Sequence, residues 1–378
     1  MKLALIGTTF PFRGGIAAFN ERLAKELMHQ GHEVSIYTFT VQYPNFLFPG
    51  KTQFSTDEPP KGLHIDRCIN SINPINWVTV GNRIKKEKFD VIFIPFWLPL
   101  MGLSLGSLAK IIKKNKHSKI LSIVHNIIPH ESRFGDKWLT NYFTNQVDGF
   151  LAMTQNVLND LKTFNSSKPK VLSPHPIYDN FGDLIEREKS LTYLKLDTSF
   201  NYMLFFGLIR DYKGLDLVLK ALSEVDDKKI KLIIAGEYYS DKTPYQNLIK
   251  ELELEDRIIE VDKFIPDSEV NYYFSACDVV VQPYKSATQS GVTQIAYHFN
   301  KPMIVTDVGG LKEMCPDGKV GYVVSPEPKE IKNAILKFYE STDKEGMKES
   351  IKEEKKKYSW SKFTNVLFSL VDKVNKKL

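Results

Sequence analysis

Short apolar runs alternate with stretches of helical period along almost the whole chain. Leu3-Ala4-Leu5-Ile6 has the length of a buried strand. Ile16, Phe19, Leu23 and Leu27 follow three or four positions apart, the spacing of one helix face, and Gly31 ends that helix. Residues 34–39 alternate as the next strand, and further strands are predicted at 91–94, 120–124, 149–153 and 171–172. Pro174-His175-Pro176 then reads as a linker. After it the pattern restarts. Met203-Leu204-Phe205-Phe206 is strand-like, Gly207 opens a loop, and Leu215, Val218, Leu219 and Leu222 mark a helix. Strands at 232–235, 258–261, 279–282 and 303–306 complete this half, and an amphipathic helix beginning near Trp360 closes the chain.

Strands regularly separated by helices predict parallel sheets covered by helices. The expected class is α/β, with two Rossmann-like domains facing across a cleft, 1–175 and 176–358. The final segment, 359–378, is expected to pack back on the first domain. A length of 378 residues, with 42% apolar and 12% aromatic content, suits two cores better than one.

The net charge of +6 is modest. It favours phosphate-bearing ligands or an anionic membrane surface and falls short of what nucleic-acid binding needs. Cys68, Cys277 and Cys315 are scattered, with no CxxC pair, which suits a reducing compartment and argues against a disulfide framework or a zinc site. No grouping of His, Asp and Glu has metal-ligand spacing. The first apolar run is too short for a signal peptide, so a cytoplasmic location is expected. Residues 91–109 carry no charge, but Pro95, Pro99, Gly102 and Gly106 divide them, which favours a strand over a membrane span. Five lysines within 110–119, beside the apolar stretch 103–112, fit either a helix in a membrane interface or a soluble charged face.

Ligands of open parallel sheets sit at the carboxyl ends of the strands, so the loops there carry the candidate chemistry. The first is Thr8-Thr9-Phe10-Pro11-Phe12-Arg13-Gly14-Gly15. Its paired glycines allow close approach to an anion at a helix start, or simply shape a tight turn. It is not GxGxxG, so a dinucleotide site is poorly supported. The second runs from Gly207 through Arg210 and Lys213 to Gly214. A guanidinium fork and a compact ammonium together can hold two phosphates and stabilise them as a leaving group. The third leads through Tyr284, Lys285 and Thr288 to Ser290, Gly291 and Val292, where a helix start can bind phosphate through backbone amides. The plainer alternative is a serine-capped helix. His125, after the 120–124 strand, can meet a sugar hydroxyl or be structural; His130-Glu131 and His175 are weaker candidates.

In these loops, and in the run Asp307 to Glu313 with the tryptophan-led final helix, the chain resembles the GT-B glycosyltransferases of the retaining family 4. The resemblance implies transfer of a sugar from a nucleotide-diphosphate sugar, a co-substrate rather than a cofactor, with retention of configuration and no metal. It places Arg210 and Lys213 on the donor pyrophosphate, Gly14 and Gly15 near the donor, and His125 at the sugar. The acceptor implied is a glycan or lipid-linked precursor of surface polysaccharide, received by the first domain near the loop around residues 46–50. Peripheral contact with the inner face of a membrane goes with such an acceptor. Two positions depart from the family. Leu208 stands where an arginine is usual, and Thr288 and Ile295 fall in the slots of a glutamate pair. Thr288, Gln289 and Gln294 are the available substitutes. The competing readings are a sugar-nucleotide epimerase or hydrolase on the same frame, and a binding protein that closes on a sugar without chemistry.

Overall fold

The computed structural model describes residues 1–44, 48, 51–128, 134–165, 167–287 and 290–376. The chain divides into two compact units, one of Met1–Phe48, Thr52–Pro176 and Ser359–Leu378, the other of Pro49–Lys51 and Ile177–Tyr358.

The first unit holds β1 (Lys2–Ile6), α1 (Gly15–His29), β2 (Glu33–Val41), β3 (Ile65–Asn70), α2 (Pro74–Glu87), β4 (Val91–Phe96) and α3 (Gly102–Ile112). β5 (Lys119–Val124), α4 (Asp136–Gln146), β6 (Gly149–Ala152), α5 (Gln155–Phe164) and β7 (Lys170–Leu172) follow. Among the described residues the strands make one parallel sheet in the order β3-β2-β1-β4-β5-β6-β7. The central strands are apolar on both faces because helices cover both: all six residues of β4 are buried, and so are Leu3 to Ile6 of β1. Asn73 starts α2 by accepting from the amides of Ile75 and Asn76, with Pro74 at the first helical position. α3 and α4 approach so closely that a Cβ on Gly102 would fall onto the Leu139 carbonyl oxygen.

The second unit holds α6 (Arg187–Tyr193), β8 (Asn201–Phe206), α7 (Leu215–Ser223), β9 (Ile230–Ala235), α8 (Thr243–Glu251), β10 (Ile258–Val261), α9 (Val270–Ala276) and β11 (Val279–Gln282). It continues through α10 (Gly291–His298), β12 (Met303–Thr306), α11 (Leu311–Met314), β13 (Gly321–Val324), α12 (Pro328–Glu340) and α13 (Lys344–Glu354). Its parallel sheet runs β10-β9-β8-β11-β12-β13 among the described residues. In each sheet the first strand of the unit lies centrally and the strand order reverses beside it. That reversal leaves a crevice at the carboxyl ends, because successive connections leave to opposite sides. The loops after β1 and β8, and the loop after β11, open at these reversals.

The last helix, α14 (Trp360–Asn375), is capped by the Ser359 hydroxyl and returns to the first unit. Trp360 packs 5.4 Å from the Phe19 ring with the Arg22 guanidinium over it, and Gln30 Nε2 donates to Thr364 Oγ1 at 2.8 Å. Leu370 and Val374 come to 3.0 Å of where a Cβ at Gly149 would stand.

Candidate active site

In the first unit, the loop after β1 is pinned from beneath. The Phe10 amide donates to Glu21 Oε1 at 2.6 Å, and Asn20 Nδ2 donates to the Thr8 carbonyl at 2.8 Å, so two α1 side chains hold it. Gly14 is the N-cap of α1 at φ +104°, a conformation open to glycine, and α1 begins at Gly15 with no acidic residue in its first turn. No acidic residue of the first turn offsets the positive end of the helix.

His125 follows β5, its amide donating to the Phe96 carbonyl at 2.9 Å. Its buried ring stands edge-on to Phe19, centroids 4.9 Å apart, and 6.4 Å from His175. His175 Nδ1 lies 2.6 Å from the Pro176 carbonyl oxygen. Burial, and then the neighbouring His175, pushes His125 down to about 3; burial takes His175 to about 4. Both rings are neutral at physiological pH, each keeping one donor and one acceptor nitrogen. His175, a weaker candidate by sequence and part of the expected linker, follows β7 and stands beside His125.

In the second unit the loops after β8 and β11 are knitted together. The Lys285 amide donates to the Tyr212 carbonyl at 2.7 Å, and Lys285 Nζ pairs with Asp211 at 2.8 Å and Asp216 at 3.0 Å. Gly214, at φ +69°, lets the two backbones touch: a Cβ there would fall onto the Pro283 carbonyl oxygen. Thr306 Oγ1 donates to the Tyr284 carbonyl at 2.6 Å and fixes the second loop from the adjacent strand.

This framework presents Lys213. Its side chain is buried, its Nζ lies 5.7 Å from the Tyr284 ring centroid, and it makes no ion pair or side-chain hydrogen bond among the described residues. Burial, and then the charge of Arg210, lowers the ammonium to about 7. Arg210 is half-buried with its guanidinium 5.2 Å over the Tyr239 ring. Gly207 sits beneath: a Cβ there would lie 3.3 Å from Lys213 Nζ and 3.8 Å from Val292 Cγ2. Lys213, Gly207 and the start of α10 therefore meet at one place.

Ser290 precedes α10 but does not cap it. Its hydroxyl shares a 3.2 Å hydrogen bond with the Tyr284 hydroxyl, and α10 has no acid in its first turn. The serine cap of the plainer alternative is not made: the Ser290 hydroxyl pairs with the Tyr284 hydroxyl instead of a helix amide. Gly291 packs under Tyr178, whose Cε2 is 3.0 Å from a Cβ position there. Gln294 is fully buried and turned toward α11, its Nε2 donating to the Met314 sulfur, while its Oε1 has no partner among the described residues. Ile295 is buried in the core. Thr288 and Gln289, like His130-Glu131, lie outside the described residues.

Of the two readings of residues 103–119, an interfacial helix or a soluble charged face, the first would need a free apolar face, which 103–112 does not offer. Leu105, Leu108, Ala109 and Ile112 of α3 are buried in the core, so the lysines that follow are what this segment presents. No described helix is long and apolar enough to cross a membrane. Among the described residues, no group of three His, Cys, Asp or Glu is placed to hold a metal ion.

Two family models match in succession, Glycosyltransferase Family 4 over residues 13–175 and Glycosyl transferases group 1 over residues 186–358. A relative described as an uncharacterized glycosyltransferase of Methanocaldococcus jannaschii is 26% identical over 374 residues, covering 96% of this chain and 95% of that protein. Among solved structures, sucrose-phosphate synthase from Thermosynechococcus elongatus superimposes with a TM-score of 0.77 at 15% identity over 100% of both chains. The Anabaena protein HepE in complex with UDP does so with a TM-score of 0.74 at 15% identity, covering 98% of this chain and 100% of its own.

Proposed function

This chain belongs to the GT-B glycosyltransferases of the group 1 and family 4 type, and from that premise we propose that it moves a sugar from a nucleoside diphosphate sugar to a glycan or lipid-linked acceptor, with retention and without a metal ion. The observation that carries this reading is Lys213, a buried lysine with no ion pair among the described residues, at the uncapped start of α10. A buried ammonium without a counter-ion is costly to keep, and a diphosphate is the anion that would relieve it.

In this reading Lys213 and Arg210 hold the diphosphate and carry its charge as the glycosidic bond breaks. The amides of Gly291 and Val292 donate to its phosphate oxygens, with the Ser290 hydroxyl beside them, and Thr288, outside the described residues, stays a candidate for the donor by sequence alone. The Gln294 carbonyl oxygen accepts from a donor hydroxyl, and Gly14 with Gly15 gives the donor close backbone approach. His125, held neutral, exchanges a hydrogen bond with the transferred sugar. Cell-surface polysaccharide synthesis is the setting that fits such a reaction. The bound UDP of the HepE structure is consistent with a nucleoside diphosphate as one product of this chain too.

Incubation with labelled UDP-, GDP- and ADP-sugars in the presence of a chelator tests the reading. Nucleoside diphosphate release that depends on added acceptor supports transfer. Release without acceptor would make the protein a hydrolase or epimerase, and binding without turnover a sugar-binding protein.

A further inference from the structure

β11 is three valines followed by Gln282, all four buried, in the interior of its sheet. Gln282 is 1% exposed and ends the strand. Its Oε1 accepts from Thr293 Oγ1 at 3.0 Å, and its Nε2 has no partner among the described residues. A buried amide left half-satisfied costs stability that an apolar side chain of similar shape would not. Packing alone therefore does not account for a glutamine here. What the amide holds is α10.

Thr293 is the third residue of α10, fully buried, in the turn whose amides have no partner within the helix. This helix start is weakly fastened. The side chain before it is turned to Tyr284, its first residue is Gly291, and the helix is only eight residues long. Tyr297 fixes the far end by donating to the Met314 carbonyl at 2.7 Å. Among the described residues, the bond from Thr293 to Gln282 is the side-chain hydrogen bond that ties the first turn to a strand of the sheet. The same strand end carries the Lys213 side of the site. Gln282 leads directly into Pro283 and Tyr284; the Gly214 backbone packs against the Pro283 carbonyl, and Lys213 Nζ lies 5.7 Å from the Tyr284 ring centroid. Gln282 thus joins the cation and the helix amides to one point, the first through its backbone and the second through its side chain.

We propose that Gln282 is a positioning residue for diphosphate capture: by holding Thr293 it sets the distance and aim of the Gly291 and Val292 amides relative to Lys213. The inference rests on the diphosphate site proposed above and adds to it a residue that touches no phosphate. Hydrogen bonds weaken steeply with misalignment. A short helix start free to roll about its axis divides its time between poses in which both amides meet the anion and poses in which one does. The Thr293 bond removes that roll. The unpartnered Nε2 is the stability the fold forgoes for it.

The Gln282→Met, Thr293→Val double variant replaces the bonded pair by apolar groups of similar shape, so its unfolding temperature should be retained or raised. Its affinity for UDP or GDP, whichever the wild type binds more tightly, should nevertheless fall about fivefold to tenfold, and its affinity for inorganic pyrophosphate by the same factor. Thr293→Val alone breaks the same bond and should show a comparable loss, while Thr293→Ser, which keeps the hydroxyl, should restore most of it. In a Val292→Pro background, which already lacks one of the amides, the double substitution should cost less than in the wild type. Undiminished pyrophosphate affinity in the double variant would overturn the proposal. So would a loss that comes with a lowered unfolding temperature, or equal losses with and without Val292→Pro. Lys213→Ala separates this role from the site itself. A loss in Lys213→Ala with none in the double variant removes the role of Gln282 alone; no loss in either, or no diphosphate binding by the wild type, removes the diphosphate site with it.

Discussion

The Lys213 ammonium lies over the backbone of Gly207, 3.3 Å from the point a Cβ would occupy. Gly207 is at φ +91°, and the same Cβ would lie 3.8 Å from Val292 at the start of α10. A side chain at this glycine would thus strain the backbone and crowd the lysine at once. Gly207→Ala is expected to cost about 1–2 kcal/mol of stability from the positive φ and to weaken nucleoside diphosphate binding beyond that. Calorimetric titration of the folded variant checks this; an unchanged dissociation constant would separate Gly207 from the site.

Donor affinity should depend on pH through the same lysine. Lys213 sits near 7 in the free protein, against 10.5 ordinarily, because burial and Arg210 disfavour its charge. A bound diphosphate favours the ammonium, so binding takes up a proton above pH 7 and affinity falls as pH rises. The dissociation constant should climb by roughly tenfold per pH unit above about pH 8 and level off below 7. Lys213→Arg, charged throughout, should flatten that rise. A flat profile in the wild type would mean that the diphosphate does not meet Lys213.

The backbone contribution of α10 can be separated from side chains. Val292 is the second residue of the helix, where proline fits the fold but removes an amide donor. Val292→Pro should weaken donor binding by about 1.5–3 kcal/mol with a smaller effect on thermal unfolding. Gly291 is a poorer choice for the same substitution, since Tyr178 lies 3.0 Å from any Cβ there. Ile295→Glu buries a carboxylate in the core and should destabilise by about 2 kcal/mol or more. A well-folded Ile295→Glu that binds donor more tightly would contradict the placement of this helix.

Much of this arrangement is legible in the sequence, and the exceptions have physical causes. Strands interior to a sheet are apolar on both faces, so β1, β4, β5 and β8 read directly. β3 and β13 lie at sheet edges, and β3, with Asp66, Arg67 and Asn70, is only partly buried, so it lacks that signature. Pro95 suggested an end to β4 at Ile94, yet the strand continues to Phe96. β1 pairs with β4 only as far as Phe93, so the missing amide of Pro95 removes no bond on that side. The cationic and glycine loops could be found because their place follows from strand order. The Ser290–Tyr284 bond, the His125–His175 pair and the Glu21 brace could not, since each depends on how side chains distant or competing in sequence meet in space.

The buried histidines set an acid limit on the first unit. His125 and His175 titrate near 3 and 4 when folded and near 6.5 when unfolded. Between those values the unfolded chain binds more protons, so the stability tied to these rings is full above pH 6.5 and is lost as pH falls toward 4. Denaturant unfolding at pH 7, 5.5 and 4.5 checks this. The slope of stability on pH should be shallower by about 1 kcal/mol per unit or more in His125→Gln with His175→Gln. Equal slopes would show that the rings are already charged in the fold.

The central claim is that Lys213 captures the donor diphosphate without a metal, and it is tested most directly by nucleoside diphosphate affinity in a chelator, wild type against Lys213→Ala. Losing a charge-assisted contact of about 1.5–3 kcal/mol should raise the dissociation constant at least about tenfold, with the unfolding transition retained. Undiminished affinity in Lys213→Ala, or wild-type binding that disappears in the chelator and returns with magnesium, would contradict the account.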